Sequence, residues 1–331
     1  KMKKRRLLQS GKLVSEIGLG CMSFAGFYGP TDEKEAHDTL KTALDCGIDF
    51  LDTANVYGMG VSEKMIGNYI KNNGNPFVIA TKASISRDPE TQERTFDNSS
   101  QHLETELNKS LERLGVDYVD LFYIHRRDPR IPIEDVMETL LKFKKEGKIG
   151  GIGFSEISPS SLRRASEVGL VDAVQSEYSL WTRSAELGLI QTCQELGVSF
   201  IPFSPLGRGI FSTTPPDPST FGELDFRKGN PRFLQPNFNQ NLNLLKPFKQ
   251  LCADLNVSPS TMAIAWTLNQ GEHLLPIPGT RSRGHLMELA LGSQFNLTKE
   301  ISDQIDRLLP IGWAHGERYS DIQWVGIEKF C

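Results

Sequence analysis

Short apolar and β-branched runs alternate with longer amphipathic stretches from residue 17 to about residue 290. The runs are Ile17–Met22, Ile48–Thr53, Phe77–Ala83, Val119–His125, Ile149–Ser155, Ala173–Tyr178, Ser199–Ser204 and Leu274–Pro278. Several are almost wholly apolar or small, as strands buried on both faces of a parallel sheet are. The intervening stretches read as helices with marked ends. Ala36, Leu40, Ala43 and Leu44 share a face, with Thr31 or Asp32 as a cap and Gly47 beyond the end. Leu103, Leu107, Leu111 and Leu114 form a stripe that stops at Gly115; Pro132 opens a helix that closes near Gly147; Ser158-Pro159 and Ser258-Pro259 open two more. Each strand–helix unit takes roughly 25–40 residues, the size of a βα repeat.

Eight such strands predict a closed (β/α)8 TIM barrel forming a single domain over residues 1–331. The competing open doubly wound sheet usually begins with G-x-G-x-x-G, and Gly18-Leu19-Gly20-Cys21-Met22-Ser23 lacks the last glycine. Two additions interrupt the alternation. Leu7–Val14, around Ser10-Gly11, reads as an N-terminal β-hairpin that plugs the barrel's bottom. A long insertion at about 207–257 separates the seventh and eighth strands: Thr213–Pro236 is a loop and Asn239–Leu255 a helix. That loop and the tail from Pro310 to Cys331, with Trp313, Tyr319 and Trp324, are expected over the C-terminal face of the barrel.

Composition narrows the function. A net charge of −4 supplies no basic field for nucleic acid or an anionic membrane. The cluster Lys1, Lys3, Lys4, Arg5 and Arg6 reads as a solvated terminus. No apolar run reaches the length of a membrane span, and the five scattered cysteines read as reduced thiols, so a cytoplasmic location is expected.

In barrel enzymes the working groups sit where strands end. Asp52, Lys82 and His125 end the second, third and fourth strands, and Tyr57 follows Asp52 by five residues. A phenol with a pKa near 10 is a poor proton donor at neutral pH. A nearby lysine ammonium favours the phenolate and is expected to lower that value; an aspartate keeps the lysine charged, and a histidine can orient a carbonyl. The set suits delivery of a proton to an oxygen that becomes alkoxide as hydride reaches carbon. A metal-dependent hydrolase would need several His and carboxylate ligands at strand ends, and His125 stands almost alone there, so no metal is expected. Asp52 likewise lacks the facing carboxylate of a glycosidase.

The stretch Gly47-Ile48-Asp49-Phe50-Leu51-Asp52-Thr53-Ala54, with Tyr57-Gly58 and Ser62-Glu63, resembles the signature of the aldo-keto reductase family. Asp117 to Leu121, Tyr123-Ile124-His125, Gly147-Lys148-Ile149, Gly153-Phe154-Ser155, Gln175 to Tyr178, Phe203 to Gly209 and Pro276 to Arg281 extend the resemblance in order along almost the whole chain. Tyr178 to Arg183 resembles the branch containing perakine- and pyridoxal-reductase-like enzymes.

The resemblance implies an NADPH-dependent reductase of small aldehydes or ketones. Its tetrad would be Asp52, Tyr57, Lys82 and His125, with Tyr57 as general acid. It also implies Ser155 and Gln175 at the nicotinamide amide and Phe203 stacked on the ring. Ser204, Leu206 and Gly207 would meet the pyrophosphate, Thr280, Arg281 and Arg283 the 2′-phosphate, and Glu288 the adenine. The chain has Glu156 and Leu289 where the family often has asparagine. An alternative within the fold is an NADPH-binding regulatory or redox-sensing subunit with slow turnover. Phe24, Phe27 and Trp181, in or near the expected substrate loops, point to an apolar or aromatic aldehyde.

Overall fold

In the computed structural model, which describes residues 2–26, 31–88, 90–91, 93–223 and 225–331, the alternation becomes a ring of parallel strands wrapped in helices. An antiparallel hairpin, β1 (Lys4–Arg6) and β2 (Leu13–Ser15), comes first. The ring strands β3 (Leu19–Gly20), β4 (Phe50–Asp52) and β5 (Val78–Ala83) follow. A second hairpin, β6 (Ile85–Arg87) and β7 (Arg94–Phe96), stands outside the ring. Strands β8 (Val119–Ile124), β9 (Ile149–Ser155), β10 (Ala173–Glu177) and β11 (Ser199–Phe203) complete a seven-stranded parallel sheet ordered β11-β10-β9-β8-β5-β4-β3.

The eighth expected strand closes the ring through single bridges, Phe200 with Leu274 and Gly20 with Gly279. Leu275 and Ile277 donate their N–H groups to Phe200 and Pro202 of β11, while Gly18 and Gly20 donate to the carbonyls of Pro276 and Pro278. Neither proline has an N–H to return to β3, so pairing there runs in one direction. Gly20 is required at this closure: a Cβ would lie 2.8 Å from the carbonyl oxygen of Ile277.

The helices are α1 (Glu33–Asp45), α2 (Val61–Asn73), α3 (Ser100–Leu114), α4 (Ile133–Lys145), α5 (Pro159–Val168), α6 (Leu189–Glu195), α7 (Asn237–Asp254), α8 (Pro259–Leu268), α9 (Arg283–Leu291) and α10 (Lys299–Leu308). Their ends follow the sequence signals. Asp32 caps α1 by accepting from the Glu35 N–H, Ser158 and Ser258 cap α5 and α8, and Gly115 takes the left-handed conformation after α3. Leu103, Leu107, Leu111 and Leu114 are all buried, so the α3 stripe faces the sheet.

The hairpin does plug the barrel, with its strands further out than expected. Leu7 and Leu8 lie between them and, with Val14, join Phe50, Leu121, Tyr123, Ile201 and Leu275 in the apolar core inside the ring. Burying three such side chains contributes about 1.5–3 kcal/mol each. The expected solvated terminus is corrected at Arg5, which is buried. Its guanidinium pairs with Glu16 and donates to the carbonyls of Leu268, Gly271 and Leu274. A guanidinium with five donors can satisfy a set of inward carbonyls that no apolar residue could.

Candidate active site

Strand β4 ends at Asp52, but its pairing to β5 continues through the Thr53 N–H to Ala80 and the Asn55 N–H to Lys82. The chain then turns through Gly58 and Gly60, both at positive φ, into α2. Ser62 at the start of α2 ties the loop down, donating to the Cys21 carbonyl and lying 2.8 Å from Thr53 Oγ1. Glu63 beside it is fully buried, accepting from Thr81 and Arg113. This bracing holds Tyr57 over the C-terminal ends of β4 and β5.

There the four expected residues meet. Lys82 Nζ donates to Asp52 Oδ1, to the Thr53 carbonyl at 2.8 Å and to the Tyr57 hydroxyl at 3.4 Å. The Tyr57 and His125 rings are 5.9 Å apart, edge to face. Gln175 adds a fifth member that the sequence placed only at the cofactor: its Nε2 donates to Asp52 Oδ2 at 2.9 Å. Asp52 thus holds the ammonium with one oxygen and takes the amide with the other.

Burial works against the Lys82 ammonium, but Asp52 and Tyr57 more than offset it and keep the lysine charged. The expected lowering of the phenol needs correction. Burial pushes the Tyr57 hydroxyl above its ordinary value, and the opposing pull of Lys82 does not cancel it. The ammonium therefore leaves the phenol protonated at rest and stabilises the phenolate only as it forms. His125 is held well below its ordinary value by burial and by Arg126, so its imidazole is neutral. Its Nδ1 is buried with no hydrogen-bond partner among the described residues, and the ring lines the cleft.

The neutral His125 has a measurable consequence. Below pH 6.5 an unfolded chain binds a proton at this residue that the native state refuses. With more protons bound in the unfolded state, stability rises with pH and falls as the solution is acidified, by up to about 1.4 kcal/mol per unit. Urea unfolding at pH 7.5 and 5.5 should show a loss in the native chain exceeding that in His125→Gln by about that amount; equal losses would place the histidine in its charged form.

The tetrad opens into a cleft of about 1170 Å³ lined by Asp52, Tyr57 and His125 and also by Thr280, Arg281 and Glu288. Ser155, Gln175, Phe203, Ser204 and Leu206 line it as well. Ser155 Oγ already accepts from Arg126 at 3.1 Å. Gly207 sits just behind the surface at φ +58°, where a Cβ would strike Ile210 and Trp181, so only glycine fits. Arg281 is anchored at its carbonyl by Thr39 of α1, and Ser282 caps α9. Arg283 does not line this cleft; it faces an adjoining depression with Asp32, Lys34, Glu35 and Asp38 that Arg281 also lines.

Two expectations about the substrate side are corrected. Phe24 and Trp181 are buried in the core, Trp181 stacked on Trp313, and neither lines the cleft; Phe27 lies outside the described residues. The aromatic lining comes instead from Phe203, Phe226 and Tyr319. The tail does cover this face, through a buried ionic chain that sequence reasoning missed. Glu156 pairs with Arg318, which also approaches Glu177 at 3.5 Å, and Glu177 pairs with Arg208 at 2.9 Å. Arg208 and Arg318 both stack on Tyr319. Glu156 thus turns to the tail and away from the cleft. Its only sequence signal was its departure from the family pattern.

The sequence pattern of the aldo/keto reductase family matches residues 16–310. The chain belongs to the aldo/keto reductase family. Among curated members it is 37% identical over 308 residues to an aldo-keto reductase of Schizosaccharomyces pombe, yakc, whose name carries NADP(+), covering 90% of this chain and 91% of that one. It is 35% identical over 322 residues to the probable aldo-keto reductase 1 of Glycine max, covering 95% and 91%. Among solved aldo-keto reductase structures, the glycerol dehydrogenase of Gluconobacter oxydans superposes with a TM-score of 0.84 at 28% identity, covering 92% of this chain and 94% of that one.

Proposed function

We propose that this aldo-keto reductase reduces small aldehydes or ketones to alcohols with NADPH. The observation that carries the reading is the charged, buried Lys82 within 3.4 Å of a protonated Tyr57 hydroxyl, beside a neutral His125 at the mouth of the cleft. Tyr57 donates the proton to the carbonyl oxygen, Lys82 and Asp52 stabilise the phenolate left behind, and His125 directs the carbonyl through a hydrogen bond. The bound dinucleotide supplies the hydride.

The residues along the cleft fit such a group. Ser155 and Gln175 lie beside the tetrad, where a carboxamide would need polar partners, and Phe203 offers an aromatic face. Ser204 and Leu206, on a turn kept close by Gly207, suit a pyrophosphate. Thr280 and Arg281 before the capped N-terminus of α9 suit the 2′-phosphate, with Glu288 near the adenine. Arg283 would act there only from the neighbouring depression. The name of the Schizosaccharomyces relative supports the same cofactor.

Steady-state oxidation of NADPH with 4-nitrobenzaldehyde tests the reading. Tight NADPH binding without turnover would favour a regulatory subunit instead. Arg281→Ala should weaken NADPH by about 1.5–3 kcal/mol while barely changing NADH, read by fluorescence titration of both cofactors. Equal losses would remove Arg281 from the phosphate site.

A further inference from the structure

The substrate end of the cleft is lined by arginines, and two of them lack acidic partners. Arg126 follows His125 directly and is only 9% exposed. Its backbone is fixed: the N–H donates to Ser84 Oγ, and the carbonyl accepts from Ser84 Oγ and Asn98 Nδ2. Its Nη1 donates to the His125 carbonyl at 2.7 Å and to Ser155 Oγ at 3.1 Å, and its Nε is buried with no hydrogen-bond partner. Among the described residues, no carboxylate lies within 4.0 Å of this guanidinium. A buried cation with neutral partners only is costly.

The second hairpin adds to the same field. Its register sets Arg87 of β6 directly opposite Arg94 of β7, and both line the cleft with Tyr57 and His125. Like charges facing across a strand pair destabilise it. Arg94 donates only to the carbonyls of Gln323 and Val325 and lies over the Phe96 ring; among the described residues it too has no carboxylate partner. Burial, together with the charges of Arg126 and Arg87, pushes Arg94 below its ordinary value, as expected for cations crowded around one space. Other cations lining the cleft are paired with acids: Lys109 with Glu106, Arg113 with Glu63, Arg208 with Glu177 and Arg227 with Asp225. The phosphate candidates Thr280 and Arg281 follow residues 274–279, which lie across the ring from β8 and Arg126.

We propose that the substrate is an oxo acid, an aldehyde or ketone whose carboxylate is bound by Arg126 and Arg94 while its carbonyl faces Tyr57 and His125. The inference rests on the carbonyl-reductase reading and names its substrate class. A planar guanidinium that lines the cleft without an acidic partner matches a carboxylate in geometry as well as charge.

Binding separates this proposal from turnover. With the NADP(+)-loaded protein no hydride is available, so calorimetry reads affinity alone. 4-Oxobutanoate and 4-formylbenzoate are each expected to bind about tenfold or more tighter than their methyl esters. Arg94→Gln, on the outer hairpin, and Arg126→Gln should each bring that ratio towards one; Arg94→Gln keeps the test open if the buried substitution misfolds. Equal affinity of acid and ester in the native chain, or an acid preference that survives in both variants, overturns the proposal. With NADPH, kcat/KM should favour the acids in the same proportion. Acid-selective binding without reduction would sustain the oxyanion site and sink the reductase reading; equal reduction of acid and ester would do the reverse.

Discussion

Replacing Tyr57 by phenylalanine is expected to lower carbonyl reduction by about 10²–10⁴-fold while NADPH still binds. The phenol lies in a site that burial makes hostile to its anion, and Lys82 is the group placed to receive that anion's charge. Removing the hydroxyl deletes the proton source but leaves the ring, its edge-to-face packing on His125 and the walls of the cleft. The loss should therefore appear in kcat far more than in cofactor affinity. Single-turnover reduction alongside NADPH titration of the same variant separates the two. Full activity in Tyr57→Phe would remove this residue as the acid.

Lys82→Met is expected to cost about 3–5 kcal/mol of stability in addition to abolishing turnover. Lys82 is fully buried and Asp52 nearly so, and the ammonium also donates to the Thr53 carbonyl. Deleting the cation leaves a carboxylate in the barrel mouth with only the Gln175 amide as donor among the described side chains. Methionine fills similar space, so the loss reports uncompensated charge more than a cavity. The double variant Lys82→Met with Asp52→Asn should recover part of the stability, because no ion is then stranded, and should stay inactive. Urea denaturation of the single and double variants checks this; equal destabilisation in both would mean that packing, not charge, governs the site.

Much of this was legible in the sequence because the signals are periodic. Strand β9 spans Ile149–Ser155, as its apolar run predicts, and α5 and α8 open at their Ser-Pro pairs. The four strand-end residues converge because parallel strands of one ring bring their C-terminal ends to one face. The hairpin β6–β7 was not legible: its strands are three residues each with one apolar residue apiece, Ile85 and Phe96, too few to reveal a period of two. The ionic chain of Glu156, Arg318, Glu177 and Arg208 was hidden for another reason. Its members are far apart in sequence, and a charged residue in a tail looks solvated until its partner is known. Arg5 misled in the same way. The direction of the Tyr57 shift depends on depth of burial, which residue spacing does not reveal.

The seam between β3 and residues 274–279 divides the barrel into walls of different firmness. Because Pro276 and Pro278 return no donor, this edge carries half the backbone bonds of a full parallel ladder, whereas β5, β8 and β9 are paired along their length. Amide hydrogens of Gly18 and Gly20 should accordingly exchange with solvent faster than those of Val119–Ile124. Lys82 and His125 are mounted at the ends of the firmly paired β5 and β8, and Thr280 and Arg281 follow directly on the sparsely bonded seam.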